Sequence, residues 1–100
     1  MYGPQPRGFW TRGAPVDYGP LHAGRVYRVI RAFVDFDGVT HPEGERWTFL
    51  GSNYLPYDAG LSLFVSLDGE REWHIRMQRY PETQGPIVDQ LEQYLEPLPA

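Results

Sequence analysis

A chain of 100 residues with 41% hydrophobic and 22% charged positions has the makeup of one globular domain and is too short to divide into two. Its formal net charge of -4 argues against a nucleic-acid binder, which needs a basic footprint on phosphates. The absence of cysteine excludes disulfides, thiolate metal sites and thiol nucleophiles, and the absence of lysine excludes Schiff-base and phosphate-loop lysines.

Residues 1–20 hold four glycines and four prolines, scattered so that neither helix nor paired strand is expected to run through them. They read as a flexible N-terminal tail, with Phe9, Trp10 and Tyr18 large enough to dock on the domain at 21–100. The start lacks the layout of a secretory signal, and no run approaches the roughly 20 apolar residues of a membrane span, so a cytoplasmic protein is expected.

From residue 25, RVYRVIRAFVDFDG reads as a strand that is apolar on both faces and ends in an Asp-Gly turn. After a turn at Pro42 and Gly44, residues 45–50 form a second strand with Trp47 and Phe49 on one side. A glycine-bounded loop is expected over 51–60. LSLFVSL then places Leu61, Leu63, Val65 and Leu67 on one face and Ser62, Phe64 and Ser66 on the other. REWHIRM does the same, with Trp73, Ile75 and Met77 inside and Glu72, His74 and Arg76 outside.

A two-residue turn at Asp68-Gly69 would set the apolar face of one strand beside the polar face of the next. Parity instead requires a three-residue loop, Leu67-Asp68-Gly69 with Gly69 left-handed, pairing Leu63 with Trp73 and Leu61 with Ile75. The last element, 86–96, opens on Pro86 and repeats Ile87, Leu91, Tyr94 and Leu95 at helical spacing, which predicts a C-terminal helix packed on the sheet.

These elements are together expected to form a mainly β fold, a small SH3-like barrel of about five strands with a C-terminal α-helix. AFVDFDG followed by EGERWTFLG resembles strand signatures of SH3 domains. The long ligand-gripping loop and tandem tryptophan of signalling SH3 domains are missing, so proline-peptide recognition is not expected. YRVIRAFVDFDGVTHPEGERWTFLG, YLPYDAGLSLFV, HIRM and the acidic tail resemble, over roughly residues 25–96, a group of short bacterial proteins classed as a domain of unknown function. The resemblance implies a cytoplasmic bacterial protein and brings no activity.

No catalytic residue emerges. His22, His41 and His74 lack zinc-site spacing, and no serine lies in a nucleophile elbow. His41 and Glu43 could share a cation across Pro42, although turn polarity accounts for both. Asp35 is the one carboxylate embedded in an apolar strand, where capping the next turn or pairing with Arg31 is its ordinary role. No cofactor or metal is expected, and an enzyme or ligand-binding protein is the weakest reading. A nucleic-acid-associated barrel would use Arg28, Arg31 and Arg76, although arginines three apart on a strand alternate faces. The favoured reading is a non-catalytic protein-interaction module, monomeric or weakly dimeric, that binds an unidentified protein through Tyr54, Pro56, Tyr57 and Phe64. Phe64 is expected beneath the C-terminal helix, with Tyr54 and Tyr57 partly exposed.

Overall fold

The computed structural model describes residues 1–13 and 16–99. Its strands are β1 (Tyr2–Pro6), β2 (Val26–Val29), β3 (Phe33–Val34), β4 (Thr40–His41), β5 (Arg46–Leu55), β6 (Gly60–Ser66), β7 (Arg71–Gln78) and β8 (Leu95–Pro97). Six of them form an antiparallel sheet in the order β1-β7-β6-β5-β2-β8, and β3 pairs with β4 as a separate hairpin. The fold is mainly β. Among the described residues the ladder ends at β1 on one side and β8 on the other, so the expected closed barrel is not formed by it.

Alternation gives the sheet one apolar face. Tyr27, Val29, Trp47, Phe49, Leu61, Leu63, Val65, Ile75 and Met77 are buried there, with Leu21, Phe33, Val88, Leu91 and Leu95 packed over them. β5 is longer than expected because residues 51–55 continue it to Leu55. A bulge between Phe49 and Gly51 shifts the register there, so Trp47 and Phe49 face inward, as do Ser52 and Tyr54 beyond it. One extra residue thus moves Tyr54 to the core face.

The β6–β7 hairpin has the parity expected, with Trp73 and Leu63 on one face and Gly69 at a φ of +79°. Its register lies two residues further on, pairing Leu63 with Ile75, Leu61 with Met77 and Val65 with Trp73. The cause is Asp68. Its Oδ1 accepts from the backbone N–H of Glu70 at 2.9 Å and of Arg71 at 2.8 Å, which holds open a loop spanning Leu67 to Glu70. Those backbone bonds, with the Arg71 guanidinium at 2.7 Å, keep the Asp68 carboxyl well below the usual range.

The single strand expected over 25–36 is broken after Val29, where the N–H of Ile30 donates to the Tyr94 carbonyl at 2.8 Å. The chain there leaves the sheet to make the β3–β4 hairpin.

The helix expected over 86–96 is corrected to one α-helical turn, α1 (Gly85–Val88), a 3-10 turn at Leu91–Gln93 and β8. Leu91 and Leu95 are buried and Ile87 and Tyr94 pack against the core, so the apolar spacing is satisfied without a continuous helix. A helix would also leave the outer edge of β2 unpaired. β8 fills that edge, with Tyr27 opposite Pro97 and Val29 opposite Leu95, and Glu96 pairs with Arg28. α1 starts where the chain doubles back, and a Cβ added at Gly85 would stand 2.6 Å from the Tyr80 carbonyl oxygen. Gly85→Ala is therefore expected to lower stability by about 1–3 kcal/mol, as overpacking does, which urea denaturation would measure.

The N-terminal segment also departs from expectation. Residues expected as a flexible tail form β1 on the edge of β7, with Tyr2 opposite His74, Gln5 opposite Glu72 and Pro6 opposite Arg71. Residues 7–11 then turn back across the sheet. Ala14 and Pro15 of the expected tail lie outside the described residues. The prolines do not prevent pairing because β1 is an edge strand.

Candidate functional site

Strand alternation puts Phe64 of β6 and Glu72, His74 and Arg76 of β7 on the sheet face opposite the core. Glu72 is expected to be exposed there but is fully buried. Its carboxylate accepts from Arg7 Nη1 at 2.7 Å, from the N–H of Gly8 at 2.7 Å and of Trp10 at 2.9 Å, and from the Thr11 hydroxyl. Burial pushes this carboxyl up, but the Thr11, Gly8 and Trp10 bonds and the Arg7 charge outweigh it and leave the pKa lowered.

Phe64 is covered by Trp10, whose ring stacks 6.1 Å away at 12°, and not by the C-terminal segment. His74 completes this aromatic group, 5.0 Å from Phe64, 5.4 Å from Trp10 and 5.8 Å from Tyr2. Burial, with the nearby Arg76 charge, lowers its pKa and favours the neutral ring, whose Nε2 is buried without a partner among the described residues.

Beside His74 lies an open cavity of about 260 Å³. Leu61 and Met77 line it together with Phe36 and Leu55, while His74 and Arg76 bring polar atoms. Arg76 binds Asp37 through Nε at 3.1 Å and Nη2 at 2.5 Å, with its guanidinium 5.2 Å from both the Tyr2 and Phe36 rings. Phe36, Leu55 and Tyr2 are each roughly half exposed, and the turn that follows Leu55 carries Tyr57 wholly into solvent.

The four residues expected to form one binding surface do not converge. Tyr54 lies on the core face, stacked on Tyr18 at 6.4 Å, and Phe64 lies on the opposite face under Trp10. Pro56 and Tyr57 are exposed at the β5–β6 turn. Leu55 and Phe36, which the sequence reading did not single out, join that turn at the cavity. A burial pattern that flips at the bulge would have been the only signal for Leu55.

A second polar cluster lies within the fold. His41 and Asp35 are buried, with His41 Nε2 2.8 Å from Asp35 Oδ2 and Nδ1 2.6 Å from Glu45 Oε2. Trp47 Nε1 also donates to Glu45 Oε2 at 3.1 Å, and Phe33 stacks on the imidazole at 4.8 Å. Asp35 caps the following turn, as expected, through the N–H groups of Asp37 and Val39. Its charged partner is His41, while Arg31 lies over Tyr94. Burial pulls the His41 pKa down, but bonds to Glu45 and Asp35 overcome it and raise the value. Both ring nitrogens are occupied in a sealed site, so this histidine has no free position with which to serve a substrate.

Among the described residues no three or more His, Asp or Glu side chains are grouped to hold a metal ion, and no helix is long and apolar enough to cross a membrane. Arg28 faces Glu96 and Arg76 faces Asp37, so two arginines of the nucleic-acid reading already contact carboxylates.

Comparison with solved structures finds an integron cassette protein from the mobile metagenome of Vibrio cholerae, 40% identical, with a TM-score of 0.78. The match covers 82% of this chain and 90% of the cassette protein. No curated protein matches the chain. Residues 17–99 match the model of a family described as a domain of unknown function, DUF3601, and the chain belongs to that family.

Proposed function

We propose that the chain is a non-catalytic cytoplasmic protein-interaction module, and that its contact surface is the β5–β6 turn with the cavity beside it. The supporting observation is the exposure of Leu55 and Phe36 on an open, partly apolar cavity, with Pro56 and Tyr57 exposed on the turn that follows Leu55. Large apolar side chains gathered at a concave, polar-rimmed place are the usual anchors of a protein contact. Tyr57 supplies a rigid amphipathic ring on the turn between Leu55 and Asp58, which both line the cavity, and Leu55, Phe36, Leu61 and Met77 offer a seat for one apolar side chain of the partner. Arg76 is held by Asp37, which leaves this surface little net charge and favours a protein over a polyanion.

A photocrosslinking amino acid placed at Tyr57 tests the reading in the source cells, with the same group at exposed Glu92 as control. One adduct to another protein is expected from position 57, absent from position 92 and reduced at least about fivefold by Leu55→Ser, a loss typical of an interface anchor. Equal adducts from both positions, or none from position 57, would show that this turn is not the contact surface.

A further inference from the structure

The family match begins at residue 17, so residues 1–11 lie outside it, whereas the whole surface they cover belongs to it. We propose that the edge of β7, with Glu72 and Phe64, is a peptide-docking groove filled here in cis by the chain's own N-terminal arm. In trans it takes an extended segment of another protein with the chemistry of that arm.

Three features define what the groove selects. The edge of β7 provides main-chain hydrogen-bonding groups over Arg71 to His74, and β1 takes them as an added antiparallel strand. The approach is close, since a Cβ at Gly3 would stand 2.7 Å from the Glu72 carbonyl oxygen, so the occupant needs glycine there. The Glu72 side chain is the second feature. Every bond made by its carboxylate comes from residues 7–11: one guanidinium, two backbone N–H groups and one hydroxyl. A buried carboxylate that depends on so short a segment is a receptor for an Arg-Gly turn followed by a hydroxyl residue. The third is the Phe64–His74 surface, which receives the flat face of an indole. The occupant is therefore an extended strand containing glycine, then a turn of the form Arg-Gly-x-Trp-Thr.

This surface shares His74 with the cavity beside the β5–β6 turn, but its test does not depend on that turn. The cis arm competes at an effective concentration of order millimolar, so a free segment should bind well only when the arm is weakened. The probe is a fluorescent peptide of residues 1–12, MYGPQPRGFWTR, titrated into the full chain carrying Arg7→Ala, Trp10→Ala and Thr11→Ala. Saturable binding is expected, at least about tenfold tighter than to the native chain, in line with removal of the competing arm. The same peptide with its tryptophan replaced by alanine should bind at least about tenfold more weakly, since an indole anchor is lost. If circular dichroism shows the triple variant unfolded, the titration is made with Trp10→Ala alone. Absence of saturable binding to folded arm variants, or equal binding to native and variant chains, would overturn the proposal.

Discussion

Glu72→Ala is expected to release the N-terminal arm and to cost about 2–4 kcal/mol, the range for removing one partner of a buried charged network. The substitution leaves Arg7, two backbone N–H groups and the Thr11 hydroxyl without their acceptor and opens a gap beneath Trp10. Arg7 is half exposed and can turn to water, which places the cost below that of a wholly buried pair. Since the arm is a peripheral strand, opening should be local, and trypsin cleavage after Arg7 or Arg12 should accelerate by about tenfold or more while the body stays folded. Unchanged cleavage would mean that β1 pairing alone holds the arm. In the native chain the pKa of Glu72 is lowered from 4.5, so its contribution is complete above that pH and is lost as pH falls through the folded value. Release of the native arm, read from the indole NMR signal of Trp10, should therefore rise on acidification below pH 4.5, and Glu72→Gln should remove that dependence.

His41→Ala is expected to be more damaging to the body of the domain, by about 3–5 kcal/mol, because it removes the imidazole that bridges two carboxylates and leaves a cavity. At this chain length each kcal/mol corresponds to about 4–8 °C in Tm, so differential scanning calorimetry should show a fall of well over 10 °C. The pH dependence has the opposite sign to that of Glu72. The pKa of His41 is raised above 6.5 by Glu45 and Asp35 against the pull of burial, so its contribution is complete below that pH and is lost as pH rises through the folded value. The Met1 amino group, 3.8 Å from Asp35 Oδ2, adds a second positive charge to the cluster. Native stability should decline as pH rises above 6.5, and His41→Gln should be less stable but flat over the same range. A decline of equal size in His41→Gln would assign the effect to another group.

The apolar alternation of β6 and β7 and the parity of their hairpin were legible from residues 61–77, because a period of two combined with one buried face leaves a single choice of face. Its exact register was not, since Asp68 widens the loop through bonds invisible to an apolar pattern. At the C-terminus the spacing of Ile87, Leu91, Tyr94 and Leu95 marked positions that pack on the core, but not their backbone state, and it passed over Val88, which is buried. The free edge of β2 outweighed a short helix that would have had little stability of its own.

The candidate surface was legible only in pieces. Tyr57 read as partly exposed because it lies in a glycine-bounded stretch, but Tyr54, read the same way, changed faces at a bulge, and Phe64 was covered by a segment more than fifty residues away in sequence. Phe9 and Trp10 were conspicuous in a glycine- and proline-rich stretch, yet their partner could not be inferred from residues 1–20.

By itself the sequence determined a mainly β chain and which residues of β6 and β7 face the core, because these follow from local sterics and from burial of every second side chain. Only the tertiary structure decided the fate of the two ends. Unpaired strand edges and a buried carboxylate must find partners, and here they found them in a glycine- and proline-rich arm expected to stay unpaired and in a C-terminal segment whose spacing favours a helix.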